Sequence, residues 1–205
     1  TEVYIRLIEE EIRQGRQVLY LLPEIALTTQ ITERLRRVFG EDMAVYHSKF
    51  PVRDRVELWK RQLSDHPYPL ILGVRSALFL PFRNPGLVVV DEEHETSFKQ
   101  QDPAPRYHAR DAAILWGTMF GAKVLLGSAT PSLETYHHAL SGKYGLVEMT
   151  RRFGEAQLPE IVVEDVKELR RKKLMKTPFS PRLREEIDAA LQNREQAILF
   201  QNRRG

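Results

Sequence analysis

Five short apolar runs, Val18–Leu22, Leu70–Val74, Leu87–Val90, Val124–Leu126 and Ala197–Phe200, are rich in Val, Ile and Leu and do not alternate with polar residues. A strand with one wet face alternates; a strand covered on both faces does not, and burial on both faces is the condition of a parallel sheet. Amphipathic segments of helical length separate the runs. Ile25, Leu27, Ile31, Leu35 and Val38 recur at roughly helical spacing, and Gly40 is placed to end that helix. Val52–Leu63 and Tyr107–Phe120 read the same way, and Ser180-Pro181 has the form of an N-cap and first helical residue, with a helix to about Asn193. Alternating strand and helix implies an α/β layered fold with a mainly parallel sheet and right-handed crossovers.

Ligands of such sheets gather at the carboxyl ends of the strands. The residues that follow the runs are therefore the ones to read: Pro23-Glu24; Arg75-Ser76; Asp91-Glu92-Glu93-His94; and Gly127-Ser128-Ala129-Thr130-Pro131. All are polar, charged or small, as a site along one rim of the sheet requires.

Asp91-Glu92 closes a fully apolar strand with two carboxylates. Nucleotide hydrolysis needs a divalent ion to neutralise phosphate oxygens and an oriented attacking water. Asp91 is the candidate metal residue, acting through water, and Glu92 the candidate base. An acidic helix start, stabilised by the helix dipole, is the bland alternative. The Gly127–Pro131 segment offers close backbone approach and two hydroxyls, Ser128 and Thr130, able to exchange hydrogen bonds; a plain strand-to-helix turn capped by Ser132 competes with that reading.

Between these motifs lies Glu95 to Arg110, with Phe98, Lys99, Gln100, Gln101, Arg106, Tyr107, His108 and Arg110, and with Pro103 and Pro105 breaking regular structure. Aromatic faces stack on bases and cations neutralise phosphates, so the segment is a candidate single-strand sensor directly after the hydrolytic carboxylates. The alternative is an ordinary surface loop with Phe98 in the core. Pro23, Glu24, Thr28 and Gln30, with Gly73, Arg75 and Ser76, form a further rim set able to hold a strand's phosphates without reading bases, and plain turn and cap chemistry competes with that reading. His47 and Ser48 after a short strand at Met43–Tyr46 read better as structural.

Composition sets bounds. With 205 residues and a net charge of +3, charge alone neither demands nor excludes nucleic acid. Basic clusters stand at Arg34, Arg36 and Arg37, at Arg151 and Arg152, at Arg170 to Lys173, and at Arg203 and Arg204; a solvated face accounts for any one of them. There is no cysteine, which excludes thiolate metal sites and disulfides within the chain, and no run of membrane-spanning length. The pattern changes at Arg151–Thr177, where Ile161–Val163 has the character of a short strand, so a boundary is expected near residue 150. Thr1 opens inside helix-like sequence and Gly205 follows an apolar run, so a piece of a longer protein is expected.

Taken in order, these stretches resemble one family. Thr1–Tyr4, Leu21–Ile25, Tyr46–Ser48, Gly73–Ala77, Asp91–His94 continuing through Ser97–Gln100, Pro105–Asp111, Gly127–Glu134 and Phe200–Gly205 are similar to the bacterial primosomal replication-restart DNA helicases, the PriA family of helicase superfamily 2. Asp91–Asp111 is the most specific stretch. The resemblance implies a RecA-like three-layer lobe in residues 1–150, truncated at its phosphate-loop strand, and the first elements of a second lobe in residues 151–205. It implies a 3′-to-5′ helicase that uses ATP and Mg²⁺ at abandoned replication forks in the bacterial cytoplasm. Single-stranded and forked DNA, primosome proteins and single-stranded DNA-binding protein are the implied partners, with no membrane.

By the same resemblance Thr1 is the last residue of the phosphate loop and shares the nucleotide and metal with Asp91 and Glu92. His94, Ser128 and Thr130 couple hydrolysis to movement, and Phe98, Lys99, Arg106, Tyr107 and His108 meet DNA. Zinc is implied in the whole protein outside this chain, and the fragment alone is expected to be inactive. Two other readings stay open: an inert helicase-like module that holds DNA or protein, and another superfamily-2 translocase.

Overall fold

The computed structural model describes all residues except 25–28, 151–158 and 201–205. Thr28, the basic pairs Arg151-Arg152 and Arg203-Arg204, and the motif after Phe200 lie outside the described residues. The chain divides into two compact units, Thr1–Val147 and Glu148–Gly205.

In the first unit the elements run α1 Glu2–Arg13, β1 Gln17–Leu21, α2 Thr29–Phe39, β2 Met43–Tyr46, α3 Val52–Leu63, β3 Leu70–Gly73, β4 Pro85–Asp91, α4 Ala109–Phe120, β5 Lys123–Gly127 and α5 Leu133–Leu140. The five strands form one sheet in the order β2-β3-β1-β4-β5. Every pairing is parallel. The expected α/β architecture is therefore present, and it is the RecA-like layered arrangement.

The missing alternation has its explanation in the two faces. Leu19, Leu21, Ile71, Val88 and Val90 point into one core with Leu78, Phe98, Ala109 and Ala113. Val18, Tyr20, Leu70, Leu72, Leu87 and Val89 point into the other, with Ile5 and Ile8 of α1 and Leu35 and Phe39 of α2. Successive residues alternate between two apolar layers, so the sequence does not alternate in polarity. Each fully buried Leu or Ile here contributes about 1.5–3 kcal/mol relative to exposure.

Local signals end the helices where expected. Gly40 after α2 takes φ +53°, and Gly121 after α4 takes φ +66°, both left-handed positions that favour glycine. α4 turns Ala109, Ala113 and Gly117 inward, small residues at i, i+4 and i+8 that let the helix lie close on β4 and β5.

The second unit holds α6 Val166–Arg171 and α7 Pro181–Gln192. The Ser180 Oγ accepts a hydrogen bond from Leu183 N at 3.2 Å, with Pro181 at the start of the helix. Two expectations fail here. Neither Ile161–Val163 nor Ala197–Phe200 is a strand. A strand exists only through the ladder it shares with a neighbour. These runs have none among the described residues, and Ile161, Val163, Ile198 and Phe200 are largely exposed. Among the described residues no helix is long and apolar enough to cross a membrane.

Candidate functional site

Asp91 ends β4 opposite Gly127 at the end of β5. Its carboxylate is held from below by two phenols. Tyr20 of β1 donates to Oδ2 at 2.8 Å, and Tyr4 of α1 donates to Oδ1 at 3.1 Å. The rings meet edge to face with centroids 5.6 Å apart. Burial first, then the charge of Asp91, pushes both phenols far above the ordinary tyrosine range, so they stay protonated donors. Gly127 makes the arrangement possible: a Cβ there would collide with the Tyr4 hydroxyl. Thr1, exposed at the start of α1, lies one helical turn before Tyr4 and makes no side-chain capping bond.

Glu92 sits at φ +51°, in a region that a non-glycine residue enters only at an energetic cost. Its side chain stands out from the rim, 46% exposed. His94 follows on the same turn. Its Nδ1 lies 2.7 Å from Ser128 Oγ and its Nε2 3.5 Å from Thr130 Oγ1. Thr130 N donates to Ser128 Oγ at 2.9 Å. The residues expected to couple, His94, Ser128 and Thr130, are thus in one hydrogen-bonded group beside Glu92.

Glu93 turns the other way and is only 1% exposed. Ser132 N donates to its Oε1 at 2.7 Å. Arg110 Nη1 and Thr135 Oγ1 donate to Oε2 at 3.0 and 2.9 Å, and Ser132 Oγ lies 3.1 Å from the same oxygen. Burial opposes its ionisation, but the Ser132 N–H, the Arg110 guanidinium and the two hydroxyls outweigh it and hold the carboxyl below the usual range.

The loop from Glu95 to Arg110 closes on itself. Gln100 N donates to Tyr107 O at 2.9 Å, Lys99 Nζ to Arg106 O at 2.5 Å, and Arg106 Nε to Gln101 O at 2.7 Å. Several expected DNA contacts are placed otherwise. Phe98 is 1% exposed and packed in the core beside Ala109 and Ala113, so its faces are not open to a base. Tyr107 is half-buried, its ring edge to face with Phe79 at 4.9 Å. His108 is half-buried with an unpartnered Nδ1. Arg110 pairs with Glu93 and Asp111 rather than facing outward. The physical reason is common to all four: the loop's middle is polar and wet, while its two ends must enter the core to reach β4 and α4. Arg106 stays exposed and Lys99 partly so.

Burial, followed by the charges of Arg110 and Lys99 against the weaker pull of Asp111 and Glu93, depresses His108 below its ordinary 6.5. The unfolded chain takes up this proton first. Stability is therefore expected to fall as pH drops below about 6.5, and further as Glu93 protonates below its ordinary 4.5. Urea melts across pH 4–8 check this; His108→Asn should flatten the first leg, and an unchanged slope would contradict the assignment.

At the other end of the rim, Arg75 links three motifs. Its Nη1 donates to Ser97 O at 2.9 Å and stands 3.6 Å from Glu24 Oε1. Pro23 is buried and shapes the turn, Gln30 is exposed at the start of α2, and the buried Ser76 hydroxyl has no partner among the described residues. The 3₁₀ turn Arg75–Phe79 carries Ser76 inward, so its expected role toward phosphate is not supported. His47 serves its own turn, Nδ1 accepting from Lys49 N at 3.0 Å.

Sequence reasoning overlooked the parts played by Tyr4, Tyr20, Glu93 and Thr135; it offered Ser132 as the cap of α5, which it is, but not as a donor to Glu93. Tyr20 carried a readable signal: a phenol in an otherwise aliphatic buried run needs a hydrogen-bond acceptor. Among the described residues no cluster of three or more His, Asp or Glu forms a metal cage. A single strand-end carboxylate with spare lone pairs suits Mg²⁺, which keeps much of its water and leans on phosphates.

The comparisons agree with this geometry. Over its whole length the chain is 42% identical to replication restart protein PriA of Chlamydia pneumoniae, 38% to that of Bacillus subtilis (strain 168) and 43% to that of Rickettsia conorii. It spans 27%, 25% and 31% of those proteins. A sequence model of the DEAD/DEAH box helicases matches residues 1–139. With a parallel sheet whose strand ends carry Asp91–His94 and Ser128–Thr130, this chain belongs to the DEAD/DEAH box helicase family.

Proposed function

We propose that residues 1–150 are most of the first motor lobe of an ATP-dependent DNA helicase that acts in replication restart at stalled forks, and that residues 151–205 begin its second lobe. The observation that carries this reading is the hydrogen-bonded group His94–Ser128–Thr130 at the rim, beside Glu92 and the doubly held Asp91. The relatives' name, replication restart protein, supports the biological setting.

In this reading Asp91, fixed by Tyr4 and Tyr20, and the Thr1 hydroxyl are the groups that would hold Mg²⁺. Mg²⁺, when bound, neutralises the phosphate oxygens. The Glu92 carboxylate, free to project from the rim, orients and deprotonates the attacking water. His94 senses the change through Ser128 and Thr130 and passes it along the rim. Arg106, Lys99 and Gln30 offer the exposed contacts to single-stranded DNA, while Glu24 and Arg75 brace the rim between them. Movement is 3′ to 5′, the setting is the bacterial cytoplasm, and primosome proteins and single-stranded DNA-binding protein are partners. The chain alone turns over no ATP.

The test is ATP turnover by the full-length protein that contains this chain, with and without single-stranded DNA, at varied Mg²⁺. Mg²⁺-dependent hydrolysis that rises at least tenfold with DNA is expected. DNA binding with no turnover would instead identify an inert helicase-like module.

A further inference from the structure

Three segments distant in sequence meet at one buried carboxylate. Glu93 follows the strand-end pair Asp91-Glu92 and precedes His94, so its backbone belongs to the hydrolytic turn. Its N–H donates to Gly127 O at 3.1 Å, continuing the β4–β5 ladder. Its carboxylate takes the Arg110 guanidinium, which stands where the 95–110 loop enters α4. The same carboxylate takes the backbone N–H of Ser132 and the hydroxyl of Thr135, which open α5 directly after Gly127–Pro131. Arg110 Nη1 also reaches Ser132 Oγ at 2.7 Å. The side chain of Arg110 is 12% exposed and that of Glu93 1%, so water screens the pair little.

Resting on the function proposed above, we propose that the Glu93–Arg110 pair is the positioning link between the single-strand loop and the hydrolytic rim. The loop exit, the hydrolytic turn and the α5 start share one anchor, so none of them shifts alone. A contact made at Arg106 or Lys99 that moves the loop must move Arg110 with it. Arg110 then draws on Glu93, and with it on the turn that bears Glu92 and His94. A displacement of Ser132 after hydrolysis travels back the same way. Neither Glu93 nor Arg110 needs to touch nucleotide or DNA; each acts through its neighbours.

Reciprocal linkage supplies the test. If DNA alters nucleotide affinity, nucleotide alters DNA affinity by the same factor, commonly 5- to 150-fold or so. In full-length protein the affinity for a fluorescent single-stranded oligonucleotide is measured by anisotropy with and without a non-hydrolysable Mg-ATP analogue. Wild type, Arg110→Gln and Thr135→Val are compared. The ratio of the two affinities is expected to fall to about onefold in Arg110→Gln and at least by half in Thr135→Val. DNA affinity without nucleotide should stay within about threefold of wild type, because neither side chain faces the strand.

A purely structural role would lower the melting temperature and leave the ratio intact; a preserved ratio in both variants overturns the inference. Should Arg110→Gln fail to fold, Thr135→Val alone decides by the same ratio. Wild-type protein that binds no nucleotide would overturn the function proposed above as well, whereas a wild-type ratio retained by the variants overturns only this link.

Discussion

Glu92→Gln in the full-length protein is expected to lower DNA-stimulated ATP turnover by roughly 10²- to 10⁴-fold, the usual worth of a positioned general base. Nucleotide affinity should change by no more than a few fold. The amide keeps the size of the side chain but cannot take a proton from water. Among the described residues the Glu92 carboxylate makes no hydrogen bond to the core, and it stands 3.7 Å from His94 Nδ1. The substitution therefore removes chemistry and little stability. The left-handed backbone at φ +51° tolerates Gln no worse than Glu. Stopped-flow binding of a fluorescent nucleotide and steady-state phosphate release separate the two effects. Turnover near wild type would remove Glu92 from the role of base.

Glu93→Leu is expected to carry the largest stability loss, about 3–5 kcal/mol, because one partner of a buried ion pair is removed and the other remains. Leucine leaves the Ser132 N–H and the Thr135 hydroxyl without their acceptor. Arg110 keeps Asp111, at 2.8 Å on the exposed side, and the neutral Ser132 hydroxyl at 2.7 Å. Two desolvated donors and a half-paired guanidinium are left. Adding Arg110→Met should recover much of the loss, since replacing both members of a buried pair with apolar groups is often neutral. Urea melts of the four proteins form a double-mutant cycle. A single-variant loss below about 1 kcal/mol would show that the pair is not the anchor described here.

The layered fold was legible because its signals are local. Val18–Leu22 and Leu87–Val90 lack alternation, and only a sheet covered on both faces makes that pattern stable. Gly40, Ser132 and Ser180 act on residues two to four positions away, and each ends or starts a helix as its neighbours require. Ala197–Phe200 misled for the complementary reason. Its residues have strand character, but a strand is a property of a pair, and no partner is present among the described residues.

The site was legible in part. That Asp91–His94 and Ser128–Thr130 share a rim follows from each motif closing a parallel strand. Phe98 is where sequence could not decide, since an aromatic residue in a polar loop serves equally to stack on a base or to fill a core. The small side chains of Ala109 and Ala113 leave room for it inside, and they belong to a helix that the loop itself precedes. Arg110 posed the same ambiguity, resolved by a carboxylate on the far side of that loop.

By itself, then, the sequence determined the parallel two-faced sheet, the helix ends and the order of charged motifs along one edge, because each depends on short-range periodicity and turn chemistry. The partners of the charges were decided only by tertiary structure: Tyr4 and Tyr20 on Asp91, and Arg110, Ser132 and Thr135 on Glu93. A buried charge is stable only if fully hydrogen-bonded, and its donors are whichever groups the packed layers bring within about 3 Å, however far away they lie in the chain.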